Sequence, residues 1–313
     1  MAKRKKARKR RPPASAAPDR PTKEKADAVR ELPPGELFPP AHLVLARGLG
    51  AVVCSPATVV FPLLVVPLIW LGLLAFGFQI LPAEPYQVLA IPPVSSAFDF
   101  GVAASMFGLN GAVTLLFLLG LTFVRSVVWA VLVGMLDEAL EYGSVSMLGV
   151  LRGLNALWGV FLYCCLSIGV MLFGYVLVPG FLGPALGGTA SLVVLVGGLY
   201  LLTFAPAVSV RFGLPGYEAV ARAVRGARMP GSVRLLLLAA TYFLFSMVLL
   251  RVGYPGVGEV TANPTVADWA FVLLATLVHA VFLAAFIQTW RHIEDFVPKR
   301  SKLEGKASGR RGR

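Results

Sequence analysis

The chain has 313 residues, of which 57% are hydrophobic and only 14% are Asp, Glu, Lys or Arg. A soluble domain carries about 25% charged residues, so a water-soluble globule is excluded and the length is better counted in membrane spans. Twenty-nine basic residues against sixteen acidic ones give a charge of +13, and three cysteines are too few for a disulfide framework.

Residues 3–11 hold eight positive charges, and prolines recur from Pro12 to Pro40. A self-repelling block of this kind buries no core, so residues 1–40 read as a disordered basic tail. A secretory signal needs an apolar stretch directly behind its basic start. Here about 40 residues intervene, so the first span is expected to be retained. The tail reads as a positive-inside anchor or as a contact for anionic lipid headgroups. No aromatic residues are interleaved among its charges, which argues against nucleic acid as a partner.

A membrane helix needs about 20 mostly apolar residues. The uncharged runs place six spans, at about 57–81, 103–124, 155–178, 189–210, 235–252 and 269–290. Pro62 and Pro67 fall inside the first and should kink it. The run from Gly153 to Val210 is too long for one helix, and Pro179-Gly180 and Pro184 divide it into two. The fifth run is short, but Arg234 and Arg251 can snorkel at its ends. Trp269 and Trp290 read as interfacial anchors of the sixth. Among 29 Lys and Arg residues only Arg251 then falls on the outer side, so the positive-inside rule places both termini in the cytoplasm.

Arg-Gly pairs at Arg47, Arg152 and Arg225 precede the odd-numbered spans, and Arg125, Arg211 and Arg291 close the even-numbered ones. The unit of amphipathic helix, span, outer loop, span and arginine occurs three times. The fold class is therefore all-α: a polytopic bundle of six transmembrane helices in three hairpin repeats, with interfacial amphipathic helices. An arginine at mid-membrane costs about 2.5–3.5 kcal/mol. Matching Arg125 to Arg211 and Arg291 moves it to the inner interface and leaves residues 126–142 as an interfacial helix, with Val127, Val128, Val131 and Met135 on its apolar side. Asp137, Glu138 and Glu141 mark its wetter end, where acidic residues are ordinary. Residues 216–229 read similarly, with Arg222, Arg225 and Arg228 on one flank and Tyr217, Val220 and Val224 on the other. The candidate anionic-lipid contacts are Arg47, Arg125, Arg152, Arg211, Arg222, Arg225, Arg228 and Arg291.

His279, Tyr163, Tyr200 and Tyr242 form the candidate intramembrane polar site. The plainer reading of His279 is a packed histidine bonded to a backbone carbonyl, Ser or Thr. Cys164 and Cys165 point about 100° apart on a helix and cannot chelate a metal jointly. Asn110 and Asn155 are placed to cap helices or to hydrogen-bond a neighbouring helix. Gly169, Gly174, Gly197 and Gly198 allow close helix approach. No catalytic constellation, cofactor fingerprint or metal-ligand spacing is found, so the chain reads as non-enzymatic.

The segment from Val124 to Leu157 contains Leu-Asp-Glu-Ala-Leu-Glu-Tyr-Gly-Ser-Val-Ser-Met-Leu-Gly-Val-Leu-Arg-Gly-Leu. It resembles the connector in bacterial multi-pass membrane proteins of unknown function. That group includes the membrane domain attached to some glycerophosphodiester phosphodiesterases, and the Yip-type domains. The resemblance covers residues 41–295 and implies a six-span domain of the bacterial cytoplasmic membrane, concerned with lipids or with assembly of other proteins. A basic cytoplasmic tail, 296–313, follows it. No phosphodiesterase barrel accompanies it here, so that catalysis is not implied. The expectation is a scaffold or accessory in envelope or lipid homeostasis. A small-solute or lipid transporter is the alternative, and a membrane-embedded lipid enzyme a weaker one. The expected partners are the bilayer, anionic headgroups and a membrane protein or second copy.

Overall fold

A computed structural model describes residues 37–75, 91, 110–253, 265–294 and 296–297. The described elements are helical, in the order α1 (Ala41–Cys54), α2 (Ala57–Ala75), α3 (Gly111–Tyr142), α4 (Met147–Asn155), α5 (Leu157–Leu172), α6 (Val178–Leu202), α7 (Ala205–Phe212), α8 (Gly216–Ala227), α9 (Val233–Gly253) and α10 (Val266–Ile293). A π-helical turn, Phe173–Leu177, joins α5 to α6. Four segments are long and apolar enough to cross a membrane: Ala57–Ala75, Gly111–Tyr142, Leu186–Phe212 and Val266–Ile293. A fifth is α4 with α5, which meet at a bend of 56°. α1 and Val233–Ser246 of α9 are apolar but shorter. Residues 76–81 and 103–109 of the expected first and second spans, and nearly all of the first and third outer loops, lie outside the described residues. So does most of each basic tail, but Leu37, Phe38 and Val297 are buried, and the Phe38 carbonyl accepts from Arg234 at 2.7 Å. The folded part therefore begins before residue 41.

Local sequence accounts for the element ends. Asn110 caps α3 by accepting from the Val113 N–H at 3.4 Å. Thr265 and Asp268 form a reciprocal capping box at the start of α10. Pro62 and Pro67 both lie within α2. The chain reverses within α6 at Gly183, whose φ of 72° and ψ of 171° suit glycine alone, so that α5 and the start of α6 form one arm and the rest of α6 the other. This is the break expected at 179–188. Gly174 and Gly198 allow the two arms to pack, since a Cβ would lie 2.7 Å from Leu195 and 2.6 Å from Val170 respectively. Gly169 and Gly197 face open space instead.

α3 corrects the expected interfacial helix over residues 126–142. It continues through Arg125 without a break for 32 residues, roughly 48 Å at 1.5 Å per residue. Residues 128–139 are buried on every side, as in a central core helix rather than one lying in headgroups. Its close neighbours are α4, α5, α10, α7, α1 and α2. The α3–α4 crossing is built from glycines: a Cβ on Gly134 would lie 2.2 Å from the Gly149 carbonyl, and one on Gly153 2.1 Å from the Ala130 carbonyl. α1 crosses α10 in the same manner, with a Gly48 Cβ 2.7 Å from the Val281 carbonyl and 3.2 Å from the Ala285 nitrogen.

Two further expectations give way to packing. Trp290 is fully buried rather than interfacial, against Phe204 at 5.3 Å between ring centroids. On α8, Tyr217 is exposed while Arg222 is buried. The face set against the protein is Ala219, Arg222, Ala223 and Gly226, because small residues permit the closest approach.

Candidate functional site

The described polar groups gather in three places. The first is an ionic cluster centred on Asp137, which is 2% exposed. Arg211 approaches its carboxylate at 3.2 Å, Arg152 at 3.6 Å and Arg291 at 3.6 Å. Arg291 also donates to the Asp137 carbonyl at 2.9 Å. Glu141, one helical turn on, faces the same three guanidinium groups, Arg211 at 3.5 Å, Arg152 at 3.8 Å and Arg291 at 3.6 Å. Glu294 binds Arg211 through both carboxylate oxygens. Three positive groups thus meet three negative ones, and residues from α3, α4, α7 and α10 with its C-terminal neighbour are held at one place. Desolvating such charges is costly, and removing one partner leaves another uncompensated.

Glu138 does separate work. Its carboxylate accepts from the Ser146 N–H and the Gly149 N–H, both at 2.9 Å, and from the Ser146 hydroxyl at 2.6 Å. These donors include the start of α4, whose orphan N–H groups attract an anion. At the expected wet end of an interfacial helix, Asp137 and Glu138 are therefore buried and engaged, while Glu141 stays exposed.

The second place is the bundle interior. The Ile91 N–H donates to Tyr242 Oη at 2.8 Å, and Tyr242 Oη lies 3.0 Å from His279 Nδ1. Both bonds are satisfied when the phenol donates to Nδ1, which places the imidazole proton on Nε2. Tyr242 is thus one partner of His279, a residue type the plainer sequence reading did not name. Tyr163 packs against Trp129 at 6.2 Å. Tyr200 stands apart, donating toward the Ala227 carbonyl at 3.1 Å and the Ser232 carbonyl at 3.2 Å. It lines a shallow groove of about 270 Å³ with Val196, Gly197, Ser232, Val233 and Leu236. The groove exists where Gly197 presents no side chain.

The third place is α8. The Arg222 guanidinium carbon sits 3.9 Å above the Phe212 ring. Burial pulls its pKa down from the ordinary arginine value, Glu294 opposes that shift, and Arg225 adds to it. Arg225 is half-buried, while Arg228 and Arg47 are exposed. Arg125 is buried within α3. Of the eight arginines singled out in the sequence, Arg152, Arg211 and Arg291 meet at Asp137, Arg222 and Arg225 act on each other along α8, and Arg47, Arg125 and Arg228 belong to neither group.

Sequence reasoning missed Asp137 as a hub and Glu294 as its outer partner. A signal was present: Asp137 and Glu141 are spaced to share a helix face, and Glu294 follows Arg291 at a similar spacing. Among the described residues no group of three or more His, Cys, Asp and Glu is placed to hold a metal. No family model, curated protein or solved structure matches the chain.

Proposed function

We propose that the protein is a non-enzymatic scaffold or accessory of the bacterial cytoplasmic membrane, serving envelope or lipid homeostasis. In this reading six spans form three hairpins, both termini are cytoplasmic, and the domain is of the kind that the connector at 124–157 resembles. The observation that carries it is the Asp137 cluster. It ties α3, α4 and α7 to the end of α10 through three ion-paired arginines, which makes a rigid charged platform rather than a set of independent surface charges.

The matched glycine crossings support the repeat. Gly48 meets α10 at Val281 and Ala285, and Gly153 meets α3 at Ala130, beside Gly134. In that register Val281 pairs with Ala130 and Ala285 with Gly134. Arg125 then falls opposite Thr276, not opposite Arg291. In that register the repeat rests on two glycine crossings and Arg125 is not matched to Arg291; Gly226, the third glycine of the Arg-Gly pairs, meets the Trp290 side chain instead.

The transporter reading has less support. Tyr163, Tyr242 and His279 are 2%, 7% and 3% exposed, so they pack the bundle rather than line an open path. Extraction into native-lipid nanodiscs followed by mass spectrometry separates the two. A stoichiometric protein partner is expected. A specific retained solute with no protein partner would replace the scaffold with a transporter.

A further inference from the structure

The geometry points to a binding site for a phosphate group on α8, formed by Arg222 and Arg225. Arg222 is 6% exposed. Its Nε and one terminal nitrogen have no hydrogen-bond acceptor among the described residues, and neither does Arg225 Nε. Buried polar groups are almost always satisfied, and a buried charge without a partner is costly. The Phe212 ring covers one face of the Arg222 guanidinium but accepts none of its in-plane N–H bonds. Glu294, the carboxylate that acts on it electrostatically, binds Arg211 through both oxygens.

Two guanidinium groups three residues apart share one helix face. They repel each other until an anion joins them. The donor set is all N–H, with planar forks that fit phosphate oxygens. Arg228, exposed on the next turn of the chain, adds positive charge at the approach. The sequence placed these three arginines on a lipid-facing flank. The structure instead turns Arg222 inward and leaves these buried donors without acceptors, which a bound anion would supply. The phosphate comes either from solution or from the headgroup of a lipid. The second source rests on the proposed placement of α8 at the membrane surface; the site itself does not.

The test uses the full chain in nanodiscs of a neutral choline phospholipid, read by thermal unfolding at constant ionic strength. One arm titrates inorganic phosphate. The other incorporates phosphatidic acid, a lipid phosphomonoester. Saturable stabilisation is expected in at least one arm, and the arm that responds names the source. Arg222→Met, which keeps the stem over Phe212, should weaken the response by about tenfold to a hundredfold. Without phosphate it should melt no lower than the parent, because it removes an unpaired buried charge. Arg225→Gln, at a half-buried position, should weaken the response with the fold intact. The site is overturned if neither arm stabilises the parent, if both variants respond as the parent does, or if Arg222→Met melts lower without phosphate. None of these results bears on the number or direction of the spans, which labelling tests separately.

Discussion

At the scale of single residues, the account turns on how charge is handled away from water. Asp137 is nearly inaccessible and faces three arginines. Asp137→Asn should therefore cost about 1–3 kcal/mol, since it leaves three part-buried guanidinium groups with one charged acceptor fewer. Arg152→Gln should cost far less, because the Arg152 side chain is 31% exposed and water replaces its partner. Thermal unfolding of the two variants in the same detergent checks the order; equal melting temperatures would remove Asp137 as the hub. Tyr242→Phe removes both the donor to His279 and the acceptor for Ile91. A loss of about 1–3 kcal/mol is expected, read in the same assay.

At the scale of elements, glycine decides which helices touch. Gly48 and Gly50 lie two residues apart on α1 with opposite surroundings. A Cβ on Gly48 would meet the α10 backbone, whereas one on Gly50 meets nothing within 4 Å. Gly50→Ala should leave stability unchanged or raise it by about 0.5–1 kcal/mol through helix propensity. Gly48→Ala should lower it by forcing α1 away from α10. A pair of melting curves tests this, and similar behaviour of the two variants would count against the crossing. Much of the element pattern was legible in the sequence. Uncharged runs placed α2, α5, α6 and α10, and Pro179, Gly180 and Pro184 announced the reversal that occurs at Gly183. The end of the second span was not legible. Insertion cost argued that a helix would stop at Arg125, but that cost applies to an arginine facing lipid. In α3 the arginine is enclosed by protein, and neither enclosure nor the partners of Asp137 can be read from periodicity. The inward turn of Arg222 was hidden for the same reason: Ala219, Ala223 and Gly226 are too small to register as an apolar stripe, yet they define the packed face.

At the scale of the whole molecule, the central claim is an arginine-rich cytoplasmic side and a nearly uncharged bundle. Ser144 and Ala221 are exposed and fall on the cytoplasmic side of the proposed topology, while Val260 falls in its third outer loop. The most direct measurement is labelling of intact cells with a membrane-impermeant maleimide, using single cysteines at these positions in a chain lacking Cys54, Cys164 and Cys165. The account predicts reaction at Val260→Cys alone, with Ser144→Cys and Ala221→Cys reacting only after the membrane is opened. Reaction at either of those two in intact cells, with Val260→Cys protected, would contradict it.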